Sequence, residues 1–250
     1  MTEATRSYQR LDAEAVRDTA LRLQDRIGAR FPERNLRCVA GEVAAAVDGV
    51  LTRPDSPWYR ALRLASRTAV GLLFAVLVIG VGMLVQSAAR VSPPDSVWQW
   101  IQIAESTIND IVFAGVAMFF VWQIPERVQR RHDLRALHTL RSLAHVIDMH
   151  QLTKDPERLR ADFRPTERTR PLGMSATELG NYLDYCSELL SLVSKTAALV
   201  AEGSADPAVL STVAGIEDLT TGMSRKIWQK IALLPQAGDA AFPNAGPRVT

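Results

Sequence analysis

All four histidines of the chain fall between residues 132 and 150, where apolar residues recur at helical spacing. Imidazole is a common metal ligand and proton shuttle, so such a group suggests a metal or proton-relay site. The spacing opposes this, because His138 and His145 share a helical face but lie two turns, about 10 Å, apart, whereas metal–nitrogen bonds are about 2 Å long. We therefore predict neither metal nor cofactor. We interpret this face as a docking stripe for another helix, made of His138, Arg141, His145 and Asp148.

Recognisable catalytic motifs are missing from the sequence. No G-x-x-x-x-G-K-[ST], H-E-x-x-H or G-x-S-x-G pattern occurs, and Gly80 and Gly82 lie inside an apolar run rather than after a strand. We predict no catalytic residue and a protein that is not an enzyme. An enzyme with an unrecognised site around His138, His145 and Asp148 remains an alternative hypothesis.

The net charge and the cysteines of the chain indicate which classes of protein it does not resemble. The net charge of +2 is too small to indicate a nucleic-acid-binding protein. Cys38 and Cys186 form no C-x-x-C motif, and we expect both to be buried in a protein of a reducing compartment. Arginine outnumbers lysine strongly, a bias common in GC-rich bacterial genomes.

Residues 68–89 contain no charged side chain over 22 positions and are bounded by Arg67 and Arg90. As a helix they extend about 33 Å, enough to cross a bilayer core of about 30 Å. The run begins too late to be a cleavable signal peptide. It predicts a transmembrane helix that stays in the membrane.

A second apolar run covers residues 111–125, between Asp110 and Glu126. Extension back to Ser106 gives 20 residues and takes in Asp110, whose cost is small near the interface, so we predict a second crossing at 108–125. An amphipathic segment precedes it and predicts an interfacial helix. Small residues on both crossings predict close helix packing, of one crossing on the other or between chains. The predicted packing residues are Gly71, Ala75, Gly82, Ala114 and Ala117.

Aromatic and basic residues indicate how this hairpin sits in a membrane. Aromatic side chains bracket both runs as an interfacial belt made of Trp58, Tyr59, Trp98, Trp100 and Trp122. Arginines cluster before the first run and after the second, whereas the intervening loop carries Arg90 alone. The positive-inside rule then places both termini in the cytoplasm of a bacterial cell, with the loop outside the plasma membrane.

The remaining segments predict an all-α protein with cytosolic helices on both sides of the hairpin. Asp12 is a good N-cap, Ser175 and Glu178 form a capping box, and Asp206-Pro207 begins a last helix. Proline and charge in residues 153–174 predict a linker or loosely packed loop. The predicted regions are an N-terminal arm (1–56), first crossing (57–89), external loop with interfacial helix (90–107), second crossing (108–125), membrane-proximal helix and linker (126–174), helical hairpin (175–235) and disordered tail (236–250).

These features lead us to expect an integral membrane anchoring protein whose cytosolic helices recruit a protein partner or self-associate, with lipids around the hairpin. One alternative is an oligomeric membrane effector or channel component that permeabilises the bilayer. No cofactor or nucleic-acid partner is expected.

Overall fold

The computed structural model describes residues 11–51, 57–90, 97–160, 162–169 and 172–234, and all regular structure in these ranges is helical. The predicted all-α class is confirmed. The predicted disordered tail, and residues 91–96 of the predicted external loop, lie outside the described residues. The elements are α1 (Ala13–Arg30), α2 (Leu36–Leu51), α3 (Pro57–Arg90), α4 (Val97–Leu152), a 3-10 turn (Pro156–Leu159), α5 (Ala176–Glu202) and α6 (Pro207–Ala232).

The chain divides into two compact units. Residues 1–52 and 133–250 form the first, which we call the bundle unit. Residues 53–132 form the second, which we call the two-helix unit. Helix α4 contributes to both, since the boundary between the units falls at residue 132.

Helix starts in the bundle unit follow the local sequence signals. The Asp12 carboxylate accepts from the amides of Glu14 and Ala15. Ser175 and Glu178 bond reciprocally as a capping box, and Asp206 caps α6 with proline at the first helical position. Each cap satisfies amide donors that have no partner within the helix, and all three predictions are confirmed.

Helix α5 is the centre of the bundle unit, because α1, α2 and α6 all pack against it. Phe31 at the end of α1 meets the rings of Tyr182 and Tyr185 edge-on, with centroids 5.4 and 6.2 Å apart. Arg26 reaches Glu188 of α5 with a nitrogen–oxygen distance of 2.9 Å. The predicted N-terminal arm and the C-terminal hairpin therefore share one hydrophobic core.

Apart from one 3-10 turn, the described residues between 153 and 174 form no regular structure, but contacts hold both ends of the segment. At its start Pro156 is buried in a 3-10 turn capped by Asp155, and at its end Met174 is buried. Gly173 adopts φ +60°, where glycine has no Cβ to strain, and its carbonyl accepts from Arg34 at 3.1 Å. Tertiary contacts fix both ends of this segment, which the local proline and charge content could not reveal.

The two cysteines differ in exposure. Cys186 is fully buried in α5, as predicted, but Cys38 is exposed on α2, so the prediction for Cys38 is wrong. The reason is helical phase, because the buried face of α2 runs through Leu36, Val39 and Val43 and position 38 points away from it.

The two-helix unit contains α3 and the first part of α4. Both helices are long and apolar enough to cross a membrane, and none of the most apolar window of either is buried. Large side chains such as Leu72, Val76 and Phe113 are about two-thirds exposed. Lipid tails would satisfy such surfaces, whereas water would not.

Candidate functional site

Helix α4 carries the predicted docking stripe beside its buried face. Leu140, Ala144 and Ile147 are buried in the core of the bundle unit. His138, Arg141 and His145 are exposed, and Asp148 is half-buried. No bond links His138 to His145 among the described residues. The structure thus places these four residues along one side of the helix.

A shallow surface hollow of about 280 Å³ lies beside the stripe, lined by His145, Val146, Met149 and His150. Met149 is 63% exposed and Val146 42%, and Leu152 further along α4 is also exposed. Exposed apolar side chains between two imidazoles form a surface that can bury area against another protein.

A polar cluster that the sequence did not indicate lies at the end of α4. Gln151 is only 2% exposed, and its amide nitrogen donates to Asp148 at 2.6 Å. Lys230 of α6 donates to the Gln151 backbone carbonyl at 2.9 Å. The Gln151 Oε1 atom is buried and accepts no hydrogen bond from any described residue. We call Gln151, its neighbour His150, Tyr182 and Lys230 the Gln151 cluster.

His150 extends this cluster to α5. Its Nδ1 lies 3.3 Å from the Tyr182 hydroxyl, and the Lys154 ammonium sits 5.7 Å from the centre of the Tyr182 ring. Burial lowers the pKa of His150, with a further decrease from the nearby Lys154 charge. Burial also lowers the pKa of Lys230 and raises that of Tyr182. Neutral His150 is therefore favoured near pH 7, and the contact with Tyr182 does not require an imidazolium.

The buried thiol of Cys186 is not a nucleophile in this arrangement. Burial raises the pKa of Cys186 to about 12, which leaves the sulfur protonated at neutral pH. Among the described residues, no group of three or more His, Cys, Asp or Glu side chains is placed to hold a metal ion. The Gln151 cluster joins α4, α5 and α6 by polar contacts.

Sequence reasoning missed Gln151 although a signal was present. The buried face of α4 runs through Leu140, Ala144 and Ile147, and the next position at this spacing is 151. A polar residue at a core position indicates a buried hydrogen-bond network. Tertiary packing brings Lys230 of α6 to Gln151 and Tyr182 of α5 to His150, and no local sequence pattern indicates either contact.

In the two-helix unit, the predicted interfacial aromatics have different environments. Trp58, Trp98 and Trp122 are all more than half exposed. Tyr59 is half-buried and hydrogen-bonds Gln129 of α4 through its hydroxyl. The side chain of Trp100 lies outside the described residues.

Two of the predicted packing residues, Gly71 and Gly82, do not contact a facing helix closely. A Cβ added at Gly71 or Gly82 would meet no atom within 4 Å. Ala75 and Ala117 are exposed and Ala114 is half-buried. Within one chain, the two glycines therefore face open space, and their role in packing between chains stays a prediction.

Instead, α3 and α4 are joined by a hydrogen bond that a proline makes necessary. Pro125 lies inside α4 and has no N–H, so the carbonyl four residues earlier, that of Val121, loses its helical donor. The Ser66 hydroxyl of α3 donates to this carbonyl at 2.9 Å. Serine commonly satisfies such freed carbonyls in apolar surroundings, where water is absent.

No known protein family, curated protein or solved structure matches this chain. Its function has to be inferred from the two units themselves.

Proposed function

We propose that this chain is a two-pass integral membrane protein of the bacterial plasma membrane, with both termini in the cytoplasm. Helix α3 and the first part of α4 are its anchor. The bundle unit recruits a protein partner, or a second copy of the chain, to the cytoplasmic face of the membrane.

One observation carries this proposal, namely that the most apolar windows of α3 and α4 are entirely unburied. Each Å² of apolar surface left in water costs about 25 cal/mol, so a soluble protein would cover these helices. Arginines lie before the first run and after the second, and the segment between the runs has one basic residue. These features support insertion with the arginine-rich ends in the cytoplasm.

The bundle unit supports the recruiting role. Its hydrophobic core contains no residue of the two-helix unit, since α1, α2, α6 and the end of α4 supply the side chains that surround α5. Next to the docking stripe it exposes Val146, Met149 and Leu152 on α4. A surface with apolar centre and charged rim suits protein association more than catalysis.

Site-specific photo-crosslinking in intact membranes tests this function. A photoreactive residue replaces Met149 in the full chain, and a matched control replaces Ser211, which is exposed on α6. We expect a discrete adduct from position 149 and little from position 211, with the adduct mass separating a second copy from another protein. A chain that stays monomeric and forms no adduct from position 149 would rule the recruiting role out.

A second candidate function, an oligomeric effector that permeabilises the bilayer, is favoured by the open glycine faces at Gly71 and Gly82. Close approach of helices from different chains would use these faces. Dye leakage on overexpression, abolished by Gly71→Leu or Gly82→Leu, would support this function. Leakage that both variants retain would contradict it.

A further inference from the structure

A polar cavity of about 220 Å³ lies between α3 and α4 inside the two-helix unit. Its wall includes two arginines from α3 and one carboxylate from α4. We call it the arginine pocket. The lining residues used below are Tyr59, Arg63, Arg67, Trp122, Glu126 and Gln129.

Two interhelical hydrogen bonds bracket this pocket along the antiparallel pair. Tyr59 bonds Gln129 near one end, and Ser66 bonds the Val121 carbonyl near the other. Arg63 falls between these bonds along α3. The pocket is therefore held by contacts between its two helices, and does not depend on a loop.

The two arginines of the pocket pair with none of the residues that the structure describes. Arg63 and Arg67 are one turn apart, where like charges repel, and neither makes an ion pair or hydrogen bond with any described residue. Arg127 provides a contrast, because its guanidinium donates to Gln123 at 3.0 Å and lies over the Phe120 ring. Two adjacent guanidinium groups that pair with no carboxylate among the described residues can bind an anion from outside the chain.

The charges of the pocket select the kind of anion. With Arg63 and Arg67 positive and Glu126 negative, the pocket carries one net positive charge. A phosphodiester carries one negative charge, and guanidinium groups bind phosphate oxygens in bidentate fashion. A phosphodiester leaves the occupied pocket neutral, whereas a dianion would leave it with one uncompensated negative charge, which is costly to bury. A hydroxyl on the ligand could donate to the Glu126 carboxylate.

The size and position of the pocket indicate the source of this phosphate. Its volume is below the roughly 300–1,000 Å³ of sites that enclose drug-sized molecules, and suits a headgroup. Arg67 is the last charge before the charge-free run, and Trp122 is an aromatic residue of the predicted interface. Basic pockets between membrane helices on the cytoplasmic side are suited to anionic headgroups.

We propose that the arginine pocket binds the phosphodiester of an anionic glycerophospholipid with a hydroxylated headgroup, in the leaflet at the arginine-rich end of the hairpin. This inference rests on the proposed membrane insertion. The recognising chemistry is a singly charged phosphate ester, which a soluble phosphate could imitate.

Native mass spectrometry of the full chain in detergent tests the proposal. The probes are phosphatidylglycerol and phosphatidylcholine with identical acyl chains, and inorganic phosphate as a competitor. The variant is Arg63→Gln/Arg67→Gln. The matched control is Arg127→Gln, which removes the same type of charge from the same membrane end but outside the pocket.

We expect one phosphatidylglycerol per chain on the wild-type protein and on the control. Binding should weaken about tenfold or more in the double variant, and phosphatidylcholine should bind far less than phosphatidylglycerol. Displacement of the bound lipid by inorganic phosphate would overturn the lipid assignment, because the pocket would then be a site for a soluble anion. Equal losses in the control and the double variant, or equal binding of both lipids, would overturn the proposal.

Flotation of the same variants with membranes separates the two proposals. If wild-type chain does not float with vesicles, the membrane function fails. If it floats but its lipid binding is independent of Arg63 and Arg67, only the arginine pocket fails. Circular dichroism of each variant checks that loss of binding does not reflect unfolding.

Discussion

The bundle unit buries its large apolar side chains, whereas the two-helix unit exposes side chains of the same types. In the bundle unit, leucines such as Leu183 and Leu189 on α5 are fully buried among protein atoms. In the two-helix unit, Leu72 and Leu84 on α3 remain accessible. Two side-chain hydrogen bonds, from Tyr59 and Ser66, join α3 to α4. Hydrophobic burial therefore stabilises the first unit, whereas the exposed apolar surface of the second is of the kind that lipid would cover.

The largest expected effect comes from exchanging one leucine for alanine in each unit. Leu189→Ala should lower the free energy of unfolding of the bundle unit by about 2–5 kcal/mol, because it leaves a cavity in a packed core. Leu72→Ala, at a site that is 68% exposed, should change the free energy of unfolding of the two-helix unit by less than about 0.5 kcal/mol. Hydrogen-exchange mass spectrometry of the full chain in micelles measures both changes. Comparable losses in the two variants would show that α3 lies in a protein interior.

A smaller effect is expected from the interhelical bond of the two-helix unit. Ser66→Ala leaves the Val121 carbonyl without a donor, and should destabilise the α3–α4 contact by roughly 1 kcal/mol. Pro125→Ala restores the missing N–H, so Ser66→Ala should cost almost nothing in that background. Detergent-titrated unfolding of the four chains gives this double-mutant cycle. An unchanged cost in the Pro125→Ala background would refute the proposed reason for the Ser66 bond.

The smallest effect concerns pH and the bundle unit alone. Burial lowers the pKa of His150 from its ordinary value of 6.5, so below pH 6.5 the unfolded chain binds a proton that the folded chain does not. Stability should therefore fall as the pH decreases from 7 to 5. His150→Gln should reduce this slope, and His145→Gln, at an exposed position, should not. Urea unfolding at several pH values compares the slopes, and identical slopes for both variants would contradict the assignment.

Features set by neighbouring residues were predictable from the sequence. The caps at Asp12, Ser175 and Asp206 need only residues within one turn, and the apolar length of α3 follows from composition. The exposure of Cys38 was also available from the phase of α2. These properties depend on hydrogen bonds between near neighbours and on the spacing of apolar residues, and both can be recognised in a single sequence.

Features set by distant residues were not predictable in this way. Lys230 meets the Gln151 carbonyl across 79 positions of sequence, and Ser66 meets Val121 across 55. The arginine pocket likewise needs the register of α3 against α4. Pro125 was a local signal, because a proline inside a helix leaves the carbonyl four residues earlier without its helical donor.

Accessibility of two thiols in sealed vesicles tests the central claim, that bilayer lipid surrounds both apolar helices and leaves the chain ends on one side. The native exposed Cys38 reports on the N-terminal side, while buried Cys186, with its raised pKa, should stay unreactive. A second chain carries Cys38→Ser and Ser96→Cys, which moves the reporter to the loop between the helices. With a membrane-impermeant maleimide, inside-out vesicles should label the first chain and intact spheroplasts the second. Labelling of both thiols from the same face would contradict the account.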